Sequence, residues 1–298
     1  MGEETGAPVL AAVDGTEGSL RALDWAADEA LRRGRRLRIV YAFDWPVYHT
    51  VPAGIPDFSM EDFARRVVEH ARSRALERAP DLRTEAEFEV GDAAPILLLA
   101  AAEAELAVIG SRGRSRLRAV LLGSTGMELA ATARCPVVVV PDREPKPDVG
   151  RVVVGLDGSP AARAAAAWSF ATAAERGAAL RAVTVHARVS SGRLGSLEVP
   201  ARYAFDSAEE AAAAEEARRM QSESLAGRRE HYPQVDVEEV VEGGHPARVL
   251  VDAAEDADLL VVGSRGREGF TGMLMGSVSQ SVLSHSAVPV AVLRAEKH

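Results

Sequence analysis

Two stretches of this chain repeat one pattern that suits a phosphate. Gly110-Ser-Arg-Gly113 is followed by nine residues and then Gly123-Ser124-Thr125; Gly263-Ser-Arg-Gly266 is followed by nine residues and then Gly276-Ser277-Val278. Glycine lets the backbone turn sharply and lets a ligand come close to its N–H groups. Gly123-Ser124 and Gly276-Ser277 stand where helices are expected to open, over 125–133 and 278–286. A helix N-terminus offers unpaired N–H groups and the positive end of a dipole, which suits an anion. The hydroxyls of Ser124 and Ser277 add hydrogen bonds, and Arg112, Arg114, Arg265 and Arg267 are near in sequence to supply charge. In one copy these glycines read equally well as simple turns. The matched spacing in two copies favours phosphate binding.

Asp14 and Asp157 each close an apolar run, in Val-Asp-Gly and Leu-Asp-Gly. If the runs are strand one of sheets ordered 3-2-1-4-5, each Asp lies at the switch point and faces the glycine loop. There it hydrogen-bonds a nucleotide or contacts a metal indirectly. The local alternative is an Asx turn or an N-cap for the next helix, and both roles are compatible.

Other chemistries lack their residues. There is no G-x-x-x-x-G-K-[ST] phosphate loop, no G-x-G-x-x-G after strand one and no G-x-S-x-G elbow. The only lysines are Lys146 and Lys297. The seven histidines (His49, His70, His186, His231, His245, His285 and His298) show no metal-ligand spacing. Cys135, the single cysteine, reads as buried and inert, and Glu61-Asp62 and Glu209-Glu210 read as solvated helix faces.

The elements that must position these residues come in two sets. Apolar runs near 8–13, 37–43, 85–90, 106–110 and 136–140 match runs near 151–156, 180–186, 235–241, 258–263 and 288–293. Asp14 and Asp157 are 143 residues apart, whereas Gly91 and Gly244 are 153 apart, so the second copy carries a ten-residue insertion, placed around 190–206. Near-continuous aliphatic runs are strands buried on both faces, as in parallel sheets covered by helices. Residues 19–33 form an amphipathic helix; Ser59 is the expected N-cap of a helix over 60–79, and Gly34 and Gly177 are expected C-caps. Strand–helix alternation gives a doubly wound α/β sheet in each copy. The proline-containing segment 141–150 reads as a linker between domains spanning 1–143 and 149–298.

Composition narrows the partners. The formal net charge is −9 and the pI about 5.4, with no basic stripe, so nucleic acid is not expected. Neither a signal-peptide pattern nor an 18-residue apolar run is present, and one cysteine fits a reducing compartment, so the expected location is cytoplasmic, away from any membrane.

These motifs resemble those of tandem universal stress proteins of the ATP-binding type. The likeness rests on V-D-G-T-E-G-S (13–19), L-D-G-S (156–159), the stretches before Gly91 and Gly244, and the doubled glycine pattern. It implies two five-stranded parallel sheets of order 3-2-1-4-5, flanked by helices. It also implies an ATP site in each copy. Adenine would meet the backbone of Ala42 or Val185. Phosphates would meet Gly113, Gly123, Ser124 and Thr125, or Gly266, Gly276, Ser277 and Val278. Asp14 and Asp157, with Gly110 and Gly263 opening the loops, complete the sites, and Mg2+ or Mn2+ accompanies the triphosphate in such sites. The resemblance implies pairing through strand five, either between the two halves or in a homodimer; the apolar edge strands 137–140 and 288–293 give it a reason. The function expected is a nucleotide-dependent regulator in stress response, with an unidentified protein partner. The alternatives are a slow ATPase or nucleotide-dependent transferase, a non-nucleotide scaffold, and an electron-transfer-flavoprotein-like domain.

Overall fold

A computed structural model describes residues 6–43, 60–111, 122–144, 148–186, 207–266 and 274–295. The chain divides into two compact units, residues 1–146 with 287–294, and residues 147–286 with 295–298. The expected Ser59 cap and the insertion around 190–206 lie outside the described residues.

In the first unit the elements run β1 (Val9–Ala12), α1 (Glu17–Arg33), β2 (Leu37–Phe43), α2 (Met60–Arg78), β3 (Thr84–Val90), α3 (Ala93–Ala102), β4 (Leu106–Gly110), α4 (Ser124–Thr132) and β5 (Val137–Val140). The strands pair in parallel in the order β3-β2-β1-β4-β5. Val9, Leu10, Leu37, Ile39, Leu106 and Val108 are fully buried, as strands covered on both faces must be. Helix α1 is started by Thr16, whose hydroxyl accepts the Ser19 N–H (3.3 Å), and stopped by Gly34 at φ 61°. That left-handed conformation is one glycine adopts without strain. Helix α2 turns Ala64, Val68, Ala71 and Ala75 inward at helical spacing.

The second unit repeats the plan with β6 (Arg151–Leu156), α5 (Pro160–Arg176), β7 (Ala179–His186), α6 (Ser207–Leu225), a short α7 (Arg228–His231), β8 (Val237–Gly243), α8 (Pro246–Ala253), β9 (Leu259–Gly263) and α9 (Ser277–His285). Its parallel order is β8-β7-β6-β9. The same devices bound its first helix: Ser159 at the N-cap, Pro160 behind it and Gly177 at φ 60°.

The final strand, β10 (Val290–Leu293), makes the pairing expected of strand five. By its contacts it groups with the first unit, where it runs antiparallel to β5, with Val290 opposite Val139 and Val292 opposite Val137. Without it β5 would expose a row of unpaired backbone donors and acceptors beside four buried valines, and β10 satisfies that edge.

Candidate functional site

Register brings Asp14 level with Ala42, and Asp157 level with Val185, at the carboxyl ends of the strands. In the first unit Ala12 pairs with Val40 and Val9 with Leu106. Continued along the chain, that register sets Asp14 level with Ala42 on one side and Ser111 on the other. In the second unit Leu156 pairs with Thr184 and Val152 with Leu259, which sets Asp157 level with Val185 and Ser264. Strand one lies between strands two and four in both, so each Asp stands where the strand order reverses. Open α/β sheets bind ligands at such points.

Each Asp also organises its own turn. The Asp14 Oδ1 accepts the Thr16 N–H (3.0 Å) and hydroxyl (2.6 Å), and the Asp157 Oδ1 accepts the Ser159 N–H (3.0 Å). Gly15 and Gly158, at φ 80° and 76°, make the turn possible. The Asx-turn role is therefore real, while the N-cap role belongs to Thr16 and Ser159, two residues further on. That leaves Oδ2 of Asp157 directed elsewhere: it lies 2.5 Å from where a Cβ on Gly266 would stand. Asp157 thus faces the glycine loop of its own unit, and Gly266 has no side chain because the carboxylate occupies that space.

The glycines of the loop divide by physical role. Gly110 and Gly263 end β4 and β9. A Cβ on Gly110 would stand 2.8 Å from the Gly18 carbonyl oxygen, and one on Gly263 would stand 2.9–3.0 Å from Ala161 and Ala162. Both let the first helix pack against the sheet, a role that needs no ligand. Gly123 and Gly276 are different. Among the described residues nothing lies within 4 Å of a Cβ on Gly123, and the nearest atoms to one on Gly276 are at 3.5–3.6 Å. Their φ values, −56° and −72°, are open to any residue. Neither space nor backbone conformation demands glycine at either position.

Gly123 and Gly276 are the N-caps of α4 and α9, and among the described residues no side chain caps either helix. The first-turn N–H groups, those of Ser124 and Thr125 or Ser277 and Val278, are the orphan donors that every helix start leaves. The Gly276 N–H itself is used inside the loop, donating to the Ser264 carbonyl (2.8 Å). Gly123 and Ser124 are exposed and Thr125 is half-buried. Of the remaining predicted residues, Ala42 and Val185 are half-buried near the ends of β2 and β7, opposite Glu89 and Glu242. Gly113, Arg112, Arg114 and Arg267 lie outside the described residues.

Two loop ties were absent from the sequence reading. The Ser159 hydroxyl donates to the Arg265 carbonyl (3.2 Å), so the residue that starts α5 also holds the loop after β9. The Ser279 hydroxyl donates to the Gly263 carbonyl (2.6 Å) and fixes α9 to the end of β9. Ser159 carries a sequence signal, a serine before proline at a helix start; Ser279 carries none, since its counterpart in the first unit is Gly126. Among the described residues no three His, Cys, Asp or Glu side chains gather as a metal site, and no helix is long and apolar enough to cross a membrane.

Comparison with known proteins finds one family over both units. The model of the universal stress protein family matches residues 7–141 and again 149–294. A universal stress protein of Mycobacterium tuberculosis, Rv2005c, is 37% identical over 295 residues, covering 96% of each chain. One from Mycolicibacterium smegmatis is 36% identical over 296 residues, with the same coverage. The crystal structure of a universal stress protein from Archaeoglobus fulgidus superposes with a TM-score of 0.68 over 97% of each chain at 20% identity, a likeness of fold.

Proposed function

The chain belongs to the universal stress protein family, and we propose that it acts there as an ATP-binding regulator of the stress response, with one nucleotide site in each of two domains, 1–143 and 149–298. The observation that carries this reading is the pair Gly123 and Gly276. Each is a glycine that neither packing nor backbone angle requires, each caps a helix that no side chain caps, and each is followed by serine. A bound phosphate supplies the missing reason. It needs the N–H groups of the first helical turn and no Cβ in its approach.

In this reading the triphosphate lies against Gly113, Gly123, Ser124 and Thr125 in the first domain and Gly266, Gly276, Ser277 and Val278 in the second. Adenine meets the backbone at Ala42 or Val185, and Asp14 or Asp157 accepts hydrogen bonds from the ribose side. The fit is one of donors. Ser277 and Val278 offer first-turn N–H groups without side-chain acceptors, and Asp157 keeps one oxygen on the loop. A Mg2+ or Mn2+ ion would be held chiefly by the phosphates. Nucleotide occupancy would favour one arrangement of the loops, and a protein partner would read it, since a ligand shifts an equilibrium only by its differential affinity.

The test is nucleotide extraction and stoichiometry on the whole chain, with Gly123→Trp and Gly276→Trp made singly and together. Two ATP per chain are expected, falling to one in each single variant and none in the double. A parent chain that neither retains nor binds ATP overturns the proposal.

A further inference from the structure

Two clefts occupy one place in the fold. In the first unit a cleft of about 180 Å³ lies between α1 and α2, lined by Gly15, Leu20, Phe63, Val67, Arg66 and His70, among others. In the second unit a cleft of about 350 Å³ lies between α5 and α6, and its lining includes Gly158, Arg163, Glu216, Arg219, Met220 and Glu223. The 153-residue offset sets Phe63 on Glu216, Arg66 on Arg219, Val67 on Met220 and His70 on Glu223; Leu20 and Gly15 meet Arg163 and Gly158 at the offset of 143. The position is shared, and the chemistry is not.

In the second cleft the cations are already engaged. Arg219 pairs with Glu223 (3.7 Å), and the Arg163 Nη1 donates to the Gly158 carbonyl (2.6 Å). In the first cleft the walls are aliphatic and aromatic. Its cationic rim, Arg66 with His70 one turn on, is exposed, and among the described residues neither side chain holds a hydrogen bond or an ion pair. Side chains four apart on a helix share one face, so both can address one ligand group. The floor is kept open at Gly15, where the two methyl carbons of Val67 stand 3.6 Å from an absent Cβ and φ of 80° disfavours any other residue.

We propose that the α1–α2 cleft of the first unit binds a small organic anion with a compact apolar body, an aromatic or branched-chain carboxylate. An apolar cavity of about 150 Å³ takes up benzene, so this cleft has room for one six-membered ring. Arginine's planar fork matches a carboxylate bidentately. The cleft includes no residue of the glycine loop, but Val13 and Gly15 of its lining flank Asp14, so it adjoins the proposed nucleotide site and is told from it by the Gly123→Trp variant below.

The probe is 4-fluorobenzoate, titrated into the full chain and followed by fluorine NMR. Its neutral and cationic counterparts, 4-fluorobenzamide and 4-fluorobenzylamine, are run beside it. One saturable site per chain is expected for the carboxylate, with the counterparts about tenfold weaker, in line with a charge-assisted pair. Arg66→Gln, an exposed change that leaves the core intact, should weaken the carboxylate about tenfold and leave the amide unchanged. Replacing Phe63 and His70 together by Glu, the second unit's residues, should abolish binding. Gly123→Trp should leave it as in the parent. Equal binding of the three probes, full binding by Arg66→Gln, loss in Gly123→Trp, or no saturable binding at millimolar probe each overturns the proposal.

Discussion

Gly263→Ala separates packing from ligand binding. The added Cβ would stand 2.9 Å from the Ala161 Cβ and 3.0 Å from the Ala161 carbonyl carbon and the Ala162 nitrogen, where ordinary contact begins at 3.4 Å. Two of those three atoms are backbone. They belong to the first turn of α5, which the Ser159 hydroxyl holds by accepting the Ala162 N–H at 3.1 Å. No side chain can swing away, so β9 or α5 must shift by roughly half an ångström. Overpacking of this kind costs about 1–3 kcal/mol. In a unit of this size each kcal/mol moves the melting temperature by about 2–4 °C, so a loss of about 2–12 °C is expected. The backbone is not the cause, because φ of Gly263 is outside the left-handed region. Gly276→Ala is the matched control. Its Cβ meets nothing closer than 3.5 Å, so melting should stay within about 0.5 kcal/mol of the parent. The new methyl group nevertheless enters the approach of a phosphate to α9. Thermal unfolding by circular dichroism and ATP titration calorimetry on the two variants complete the comparison. A Gly263→Ala chain that melts with the parent refutes the packing argument. A Gly276→Ala chain that binds two ATP as the parent does refutes the assignment of the second site.

Two further predictions follow from one half-buried group and one fully buried group. Burial pushes the Cys135 thiol from its ordinary 9.0 up to about 11, which leaves about a hundredfold less thiolate near pH 8; iodoacetamide should therefore alkylate the native chain about a hundredfold more slowly than the chain in denaturant, and equal rates would refute the burial argument. Glu29 is fully buried and accepts from Arg33 (2.7 Å), itself 5% exposed, and from Arg32. Glu29→Ala should cost about 3 kcal/mol, the low end for breaking a buried pair, because Glu105 still reaches Arg33 at 3.1 Å; a change below about 1 kcal/mol in urea unfolding would show that Glu105 alone suffices.

The doubly wound plan was legible because its signals are local. Val152 to Val154 or Leu106 to Val108 are apolar on both faces of a strand, and Gly34 and Gly177 stand where a helix must turn left-handed to stop. The Asp–glycine-loop juxtaposition was legible as far as strand order predicts it, and Asp157 beside Gly266 bears it out in the second unit. The parts that escaped are set by three-dimensional contact. Nothing in the string Val-Ile-Gly or Val-Val-Gly tells a packing glycine from a ligand glycine; the distance to Gly18 or Ala161 does. The Ser159–Arg265 tie spans 106 residues and has no periodicity to betray it. The pairing of β10 with β5 did not escape, since both read as apolar edge strands that invite a partner.

The duplication works as an internal control on what each residue is for. Where the backbone itself makes the demand, both copies answer alike: Gly15 and Gly158 turn left-handed, and Gly110 and Gly263 yield space to the first helix. Where only side chains meet, the copies differ. In the first unit α1 and α2 are joined by two bidentate pairs, Asp24 with Arg74 and Asp28 with Arg78. The positions matching Asp24 and Asp28 in the second are Ala167 and Ala171. There Gln221, in the place of Val68, donates instead to the carbonyls of Ala182 and Val240 and fixes α6 to β7 and β8. Gly123-Ser124 and Gly276-Ser277 fit neither class. They repeat without a backbone demand and, among the described residues, without a side-chain contact to explain them. A residue pair kept in both copies for neither fold nor packing is the expected mark of a shared ligand. The second helix, freed from such a demand, is where the two units become different in what they can bind.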